Sequence, residues 1–175
     1  MQQHRKELRE YREGKTVELP PDYTQDIPAK GLVWLLKNGI SADVARHYKF
    51  GWSDKFQRVV LPVWNGGELV QVQNRAIYDW QKPKYVNCEG SGDMPAYFVS
   101  SEPIMLRNRL KGLVITEDIS SCVRVGRVCQ AVSTLGTKLS DKLAVQPLFT
   151  EAEHIYIWYD NDAGGRKGVK QAIPL

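Results

Sequence analysis

Three short apolar runs in the second half of the chain constrain its fold more than any other feature. They are Leu113-Val114-Ile115, Ala131-Val132 and Ile155-Tyr156-Ile157-Trp158-Tyr159. Each gives way to polar or glycine-bearing residues: Thr116-Glu117-Asp118, Ser133-Thr134-Leu135-Gly136-Thr137, and Asp160-Asn161-Asp162-Ala163-Gly164-Gly165-Arg166-Lys167. The intervals Ile119 to Cys129 and Lys138 to Glu153 are each long enough for a helix, so the stretch predicts β-α-β-α-β. Near-continuous apolar runs suit parallel strands covered on both faces, and right-handed crossovers set such strands side by side. The polar ends then share the carboxyl edge of the sheet, where open α/β sheets bind ligands.

That edge carries Glu117, Asp160 and Asp162. If extended geometry persists past the strand, Asp160 and Asp162 point their carboxylates the same way, and Glu117 can converge on them from a neighbouring strand end. Crowded carboxylates repel one another. A hard divalent cation relieves the repulsion, and Mg²⁺ in particular is held by one or two carboxylates plus substrate phosphates and water. The pattern outlines a phosphoryl-transfer site. An Asp-x-Asp before Gly-Gly also reads as a turn or a helix N-cap, and a strand-end glutamate as a solvated charge.

Taken together, Glu117 after the first strand, Gly136 after the second, and Asp160-Asn161-Asp162 with Ala163-Gly164-Gly165-Arg166-Lys167 after the third resemble the TOPRIM domain of topoisomerases, primases, recombination proteins and small nucleases. The resemblance implies that Glu117, Asp160 and Asp162 bind catalytic metal, Mg²⁺ or Mn²⁺. Many members of that family have Gly directly after the Glu. This chain has Asp118 there, and Asp118 is not assigned as a ligand.

At 175 residues with 42% apolar content the chain has room for one moderate domain or two small ones with a packed core. No run approaches the roughly 20 apolar residues of a membrane-spanning helix, and the charged start lacks the apolar segment of a signal peptide, so a cytoplasmic protein is expected. Cys88, Cys122 and Cys129 with His4, His47 and His154 have no zinc-ligand spacing. Reduced thiols and no structural zinc are expected. The net charge of +4 is mildly basic, with local clusters at His4 to Arg12, at Arg107, Arg109 and Lys111, and at Arg124 and Arg127. Interleaved Glu7, Glu10 and Glu13 make the first cluster a solvated helix face.

Residues 1 to about 14 read as a polar helix, and Pro20-Pro21 mark a linker. From Pro28 to Tyr48 a helical hairpin is expected, with Leu32, Trp34, Leu35 and Leu36 as an apolar cluster, Gly39 as its break and Ser41 as a cap. Residues 57 to 76 predict a β-hairpin around Asn65-Gly66-Gly67, with Pro62 at an edge or a bulge. Lys82-Pro83-Lys84-Tyr85-Val86-Asn87 follows, then a Gly-rich loop at Gly90 to Gly92 and a short strand at Tyr97-Phe98-Val99. The fold class expected is α/β: an α+β N-terminal part followed by a parallel-sheet, Rossmann-like core. The divisions fall at 1–27 (helix and linker), 28–111 (basic subdomain) and 112–175 (TOPRIM).

The upstream block narrows the resemblance. An Arg58-Val59-x-x-Pro62 strand, a turn, a returning strand ending in Arg75, and Lys82-Pro83-Lys84-Tyr85-x-Asn87 ahead of a TOPRIM block look like the catalytic core of bacterial and bacteriophage replicative primases. The resemblance implies template-directed synthesis of short RNA primers on single-stranded DNA from ribonucleoside triphosphates by metal-dependent nucleotidyl transfer, with a replicative helicase or fused helicase domain as partner. Arg75, Lys84 and Asn87 would contact nucleotide or template, and Arg166, at a helix N-terminus, a phosphate. It also implies a core without the usual zinc-binding module, the last TOPRIM strand or the helicase-linked part. The alternatives are a TOPRIM-type nuclease using the same acids, or a non-catalytic remnant that binds single strands.

Overall fold

The computed structural model describes residues 6, 16–89, 96–100 and 112–174. The predicted N-terminal helix, the Gly-rich loop and the cluster at Arg107, Arg109 and Lys111 lie outside them, apart from Lys6. The chain divides into two compact units, Met1–Gly92 and Asp93–Leu175.

In the first unit, helix α1 (Ala29–Lys37) starts after Pro28 and helix α2 (Ala42–His47) after Ser41, whose side chain accepts from the Val44 amide at 3.3 Å. Gly39, with φ of 77°, turns the chain between them. The expected apolar cluster on α1 does not form: Leu35 is buried, Trp34 is half-buried, and Leu36 is 61% exposed. Consecutive residues lie about 100° apart around a helix and cannot share one narrow face.

Strands β1 (Gly51–Ser53), β2 (Arg58–Asn65), β3 (Glu68–Ala76) and β4 (Tyr85–Glu89) form an antiparallel sheet in that order. Gly66 and Gly67 both take positive φ, 57° and 89°, as the tight hairpin turn requires. Pro62 sits beyond Val60, the last β2 residue paired with β1, and just before the bulge at Val63/Trp64. Its missing N–H therefore removes no β1 bond. The stretch containing Pro20-Pro21 is no free linker, since Val17, Leu19 and Tyr23 pack against buried Val60, Val72 and Cys88.

The second unit is built on strands β5 (Phe98–Val99), β6 (Gly112–Thr116), β7 (Gln130–Ser133) and β8 (His154–Trp158), in the order β5-β7-β6-β8. β6 runs parallel to both β7 and β8, and β5 is antiparallel to β7. Helix α3 (Ile119–Val125) packs over β6 and β7. The α/β class expected from the sequence is the class observed.

Two expectations fail here. The interval 138–153 holds two short helices, α4 (Asp141–Ala144) and α5 (Pro147–Thr150), because Pro147 can open a helix but not continue one. They bring Leu143 and Phe149 into the core with Leu113, Ile115, Val132 and Tyr159. β8 is not covered on both faces: Ile155, Tyr156 and Trp158 are 45%, 54% and 67% exposed. It is the outer neighbour of β6, while α3 sits over β6 and β7. The resulting cavity, about 490 Å³, is lined by Val114, Arg124, Val125, Val128 and Trp158 among others. The final helix, α6 (Ala163–Ala172), begins on Asp162. Cys88, Cys122 and Cys129 are buried free thiols. No helix among the described residues is long and apolar enough to cross a membrane.

Candidate functional site

The parallel pairing of β6 with β7 and β8 aligns their carboxyl ends, so Glu117 and Asp160 leave neighbouring strands at the same edge. The two are joined directly: the Asp160 amide donates to Glu117 Oε1 at 3.0 Å. Asp162 stands two residues further on, with its Oδ1 accepting from the Gly165 amide at 2.8 Å as the cap of α6. The capping role allowed by the sequence is thus real for Asp162, and it orients the carboxylate beside the acidic edge. Asp118 caps α3 in the same way, accepting from the Ser121 amide at 3.0 Å and the Ser121 hydroxyl at 2.7 Å.

Electrostatics confirm the crowding. Partial burial pushes the Glu117 carboxyl above its ordinary value of 4.5, and the charges of Asp160, Asp162 and Asp118 push it the same way against the opposing Asp160 hydrogen bond. A raised carboxyl makes the folded state bind more protons than the unfolded chain. Its contribution to stability is therefore fully present below pH 4.5 and is lost as pH rises through the raised value. In metal-free buffer, Glu117→Gln is expected to melt at or above the parent temperature at pH 7 and level with it near pH 3.5, in paired thermal melts. A variant less stable at pH 7 would mean that the carboxylate's hydrogen bond outweighs the repulsion.

Two neighbours to which the sequence reading gave no role at the site hold this edge. Thr134, at the end of β7, lies 3.1 Å from the Tyr159 hydroxyl through its own hydroxyl and is also 3.2 Å from the Thr116 carbonyl. It therefore ties the β6, β7 and β8 ends together, one residue before Asp160. Gly165 is the second. A Cβ there would stand 2.0 Å from the Asp160 carbonyl oxygen and 2.8 Å from Glu117 Oε1. Gly165→Ala gains up to ~1 kcal/mol of helix propensity but meets immovable backbone, an overpacking cost of ~1–3 kcal/mol. The expected net is a lower melting temperature by a few degrees, read by calorimetry, with displacement of Asp160.

Among the described residues no three His, Cys, Asp or Glu side chains form a ready-made metal cage. The edge is open instead, and its donor set fits a hard cation that completes its shell with water and phosphate oxygens rather than one enclosed by protein. Glu117 and Asp162 each direct one oxygen to a backbone amide. Exposed Asp160 completes the set.

Arg166, on the first turn of α6, is exposed and donates to the Asn161 carbonyl at 3.1 Å and to Asn161 Oδ1 at 3.0 Å. The other basic candidates lie in the first unit. Arg75 is neither a bare strand-end charge nor a free guanidinium: it is held between the rings of Trp34, at 5.2 Å, and Tyr85, at 5.0 Å, and donates to the Ala76 carbonyl. Exposed Lys84 lies over the other partner of that stack, 5.7 Å from the Tyr85 ring. Asn87 is half-buried in β4 opposite Gln73, on the same face as the Arg75–Tyr85 pair. Arg75 and Asn87 thus share one sheet face, with Lys84 just ahead of β4 beside Tyr85, and Glu117, Asp160, Asp162 and Arg166 stand on one sheet edge of the other unit.

No family model matches the sequence, and no curated protein does. Solved structures do match. The chain is similar to the DnaG primase catalytic domain bound to ssDNA, with a TM-score of 0.64, 19% identity, and coverage of 99% of this chain and 67% of that one. It is also similar to the DnaG catalytic core, at TM-score 0.63, 17% identity and coverage of 98% and 65%. The RNA polymerase domain of Mycobacterium tuberculosis primase DnaG matches at TM-score 0.62, 15% identity and coverage of 98% and 69%. The chain thus spans about two thirds of the length of these structures, and at this identity the likeness is one of fold.

Proposed function

We propose that this chain is a primase-type catalytic core, which joins ribonucleotides on a single-stranded DNA template at the Glu117–Asp160–Asp162 edge. The observation that carries the reading is the direct convergence of Glu117 on Asp160 at the carboxyl edge of a parallel sheet, in a fold shared along nearly the whole chain with primase catalytic domains. Mg²⁺ or Mn²⁺, held by Glu117, Asp160 and Asp162, would supply activation of a 3′-hydroxyl and neutralise phosphate charge. The protein's own part is to hold the Asp160 backbone against Glu117, with Asp162 at the adjoining helix cap, before substrate arrives. Thr134, Tyr159 and Gly165 do this by locking the strand ends and the start of α6, so little reorganisation remains for the reaction itself.

Arg75, Lys84, Asn87 and Arg166 are proposed as contacts to nucleotide or template. Lys84 is exposed and ready to meet a phosphate. Arg75 presents a guanidinium fixed between two rings, which lowers the entropy lost when it binds an anion. A replicative helicase is the proposed partner of the whole protein. The test is primer synthesis on single-stranded DNA with labelled ribonucleotides and Mg²⁺. Short RNA products that need template and ribonucleotides support the reading. Strand cleavage without ribonucleotides would identify a nuclease, and binding without either reaction a non-catalytic module.

A further inference from the structure

The loop between β3 and β4 carries two aromatic residues that neither the core nor the proposed contacts use. Tyr78 and Trp80 are 36% and 70% exposed, yet their rings stack on each other with centroids 5.6 Å apart and planes within 12°. The Gln81 amide donates to the Tyr78 carbonyl at 3.1 Å, closing a turn over Tyr78–Gln81 that brings the two rings together. Water-exposed stacked rings of this kind present a flat π-surface in a fixed direction.

The loop is built to hold that surface still. The Gln81 side chain is buried, and its Oε1 accepts from the Ile77 and Tyr78 amides at 2.9 and 3.1 Å. Its Nε2 donates to the Gln57 carbonyl at 2.8 Å, which fastens the loop to the turn 54–57. On the other side of the loop, buried Arg58 donates to the Pro83 and Lys84 carbonyls at 2.9 and 3.3 Å. Both ends of the segment 77–84 are therefore anchored from beneath while its aromatic tip faces solvent.

The charges around the tip favour a polyanion. Exposed Lys82 and Lys84 follow the rings in the loop, the fastened turn adds Lys55, and Lys30 of α1 donates to Gln57 Oε1 of that turn. The acids nearby are Asp79 in the loop, Asp54 beside Lys30 at 4.0 Å, and Asp22, which accepts from the Lys55 amide at 2.6 Å. Lysines outnumber them, and Lys82 and Lys84 sit closest in sequence to the rings. Exposed aromatic faces set among cations are the elements by which proteins hold unpaired bases, with the phosphates following the basic side chains.

We infer that Tyr78 and Trp80 form a base-stacking platform for single-stranded DNA, with Lys82 and Lys84 as its phosphate contacts. This deepens the primase reading, on which the choice of DNA rests, by naming residues that grip the template's bases. It commits to unpaired bases: a duplex hides its ring faces, and a backbone without bases has none.

The test uses the full chain and fluorescence anisotropy with labelled dT12 and an abasic strand of the same length, without Mg²⁺. Trp80→Ala and Tyr78→Ala are expected to weaken dT12 binding roughly 5- to 150-fold each. Neither is expected to change binding of the abasic strand, and Trp80→Tyr should restore most of the dT12 affinity. Lys82→Gln should flatten the slope of log K against log salt by about 0.7. Parent-like dT12 binding by both alanine variants, with parent-like thermal melts, would overturn the platform, as would equal parent affinity for dT12 and the abasic strand. The two readings fail separately. Predicted binding losses with no primer synthesis remove the catalytic proposal and leave the platform; primer synthesis with unaltered dT12 binding does the reverse.

Discussion

Asp160→Asn and Glu117→Gln are each expected to lower primer synthesis by about 10³-fold while leaving the fold intact. The size follows from what a carboxylate contributes at a metal-assisted phosphoryl transfer, several kcal/mol of charge stabilisation, of which ~4 kcal/mol corresponds to three powers of ten in rate. The fold survives because neither change empties the core. Asp160 is exposed, and a glutamine at 117 still offers an oxygen to the Asp160 amide that Glu117 now accepts. Losing one of three crowded charges relieves repulsion rather than creating it. Activity measured with single-turnover labelled ribonucleotide incorporation, beside circular dichroism melts, separates the two effects. Retention of more than a tenth of parent activity in both variants would mean that these acids do not carry the reaction.

The second large effect is on stability. Arg58 is only 1% exposed, and burial with the nearby charge of Arg75 pushes its guanidinium down to about 10, still protonated at neutral pH. It serves three backbone carbonyls, those of Asn74 at 3.2 Å, Pro83 at 2.9 Å and Lys84 at 3.3 Å. Replacing a buried ion by a hydrophobe is often nearly neutral, because the ion's own desolvation is saved. Here the partners are main-chain oxygens that no substitution removes; the Lys84 oxygen also accepts from the Ala76 amide at 2.9 Å, but the Asn74 and Pro83 oxygens each lose a charged donor, and a buried acceptor left short costs ~1–3 kcal/mol.

Arg58→Met is therefore expected to lose ~2–4 kcal/mol, a fall in melting temperature of roughly 5–15 °C for a chain of this size. Arg58→Lys should fall between the two, since one ammonium cannot fork toward separated carbonyls as a guanidinium does. Thermal and urea unfolding check both. A Met variant as stable as the parent would show that the loop 82–84 finds other donors. The same variant should also weaken DNA binding, because Arg58 anchors the main chain at Lys84.

The sheet edge that carries the candidate site was legible in the sequence. The run of strand, acid, strand, glycine, strand and Asp-x-Asp is local in sequence, and the parallel edge follows from it because short crossovers leave few arrangements open. Ser41 and the paired glycines at 66 and 67 were legible for the same reason, as each meets a need set by its immediate neighbours. Side-chain partnership was another matter. The periodicity on α1 named four apolar residues as a cluster, yet one is exposed and Trp34 serves as one wall around Arg75. No pattern within a helix reveals which strand will reach over it.

The sequence by itself determined the succession of β6, β7 and β8, the edge on which the acids stand and the residue types available for chemistry there, because these depend on contacts a few residues apart or on chirality common to all chains. Only the tertiary structure decided that Asp162 divides itself between cap and acidic edge, that Gly165 alone fits beneath Asp160 and Glu117, and that Arg58 lies under the loop bearing Tyr78 and Trp80. Each of those depends on atoms brought within a few ångströms from distant parts of the chain. The physical reason is that packing selects partners by shape and unmet hydrogen bonds in three dimensions, while sequence spacing reports only which face a residue can present.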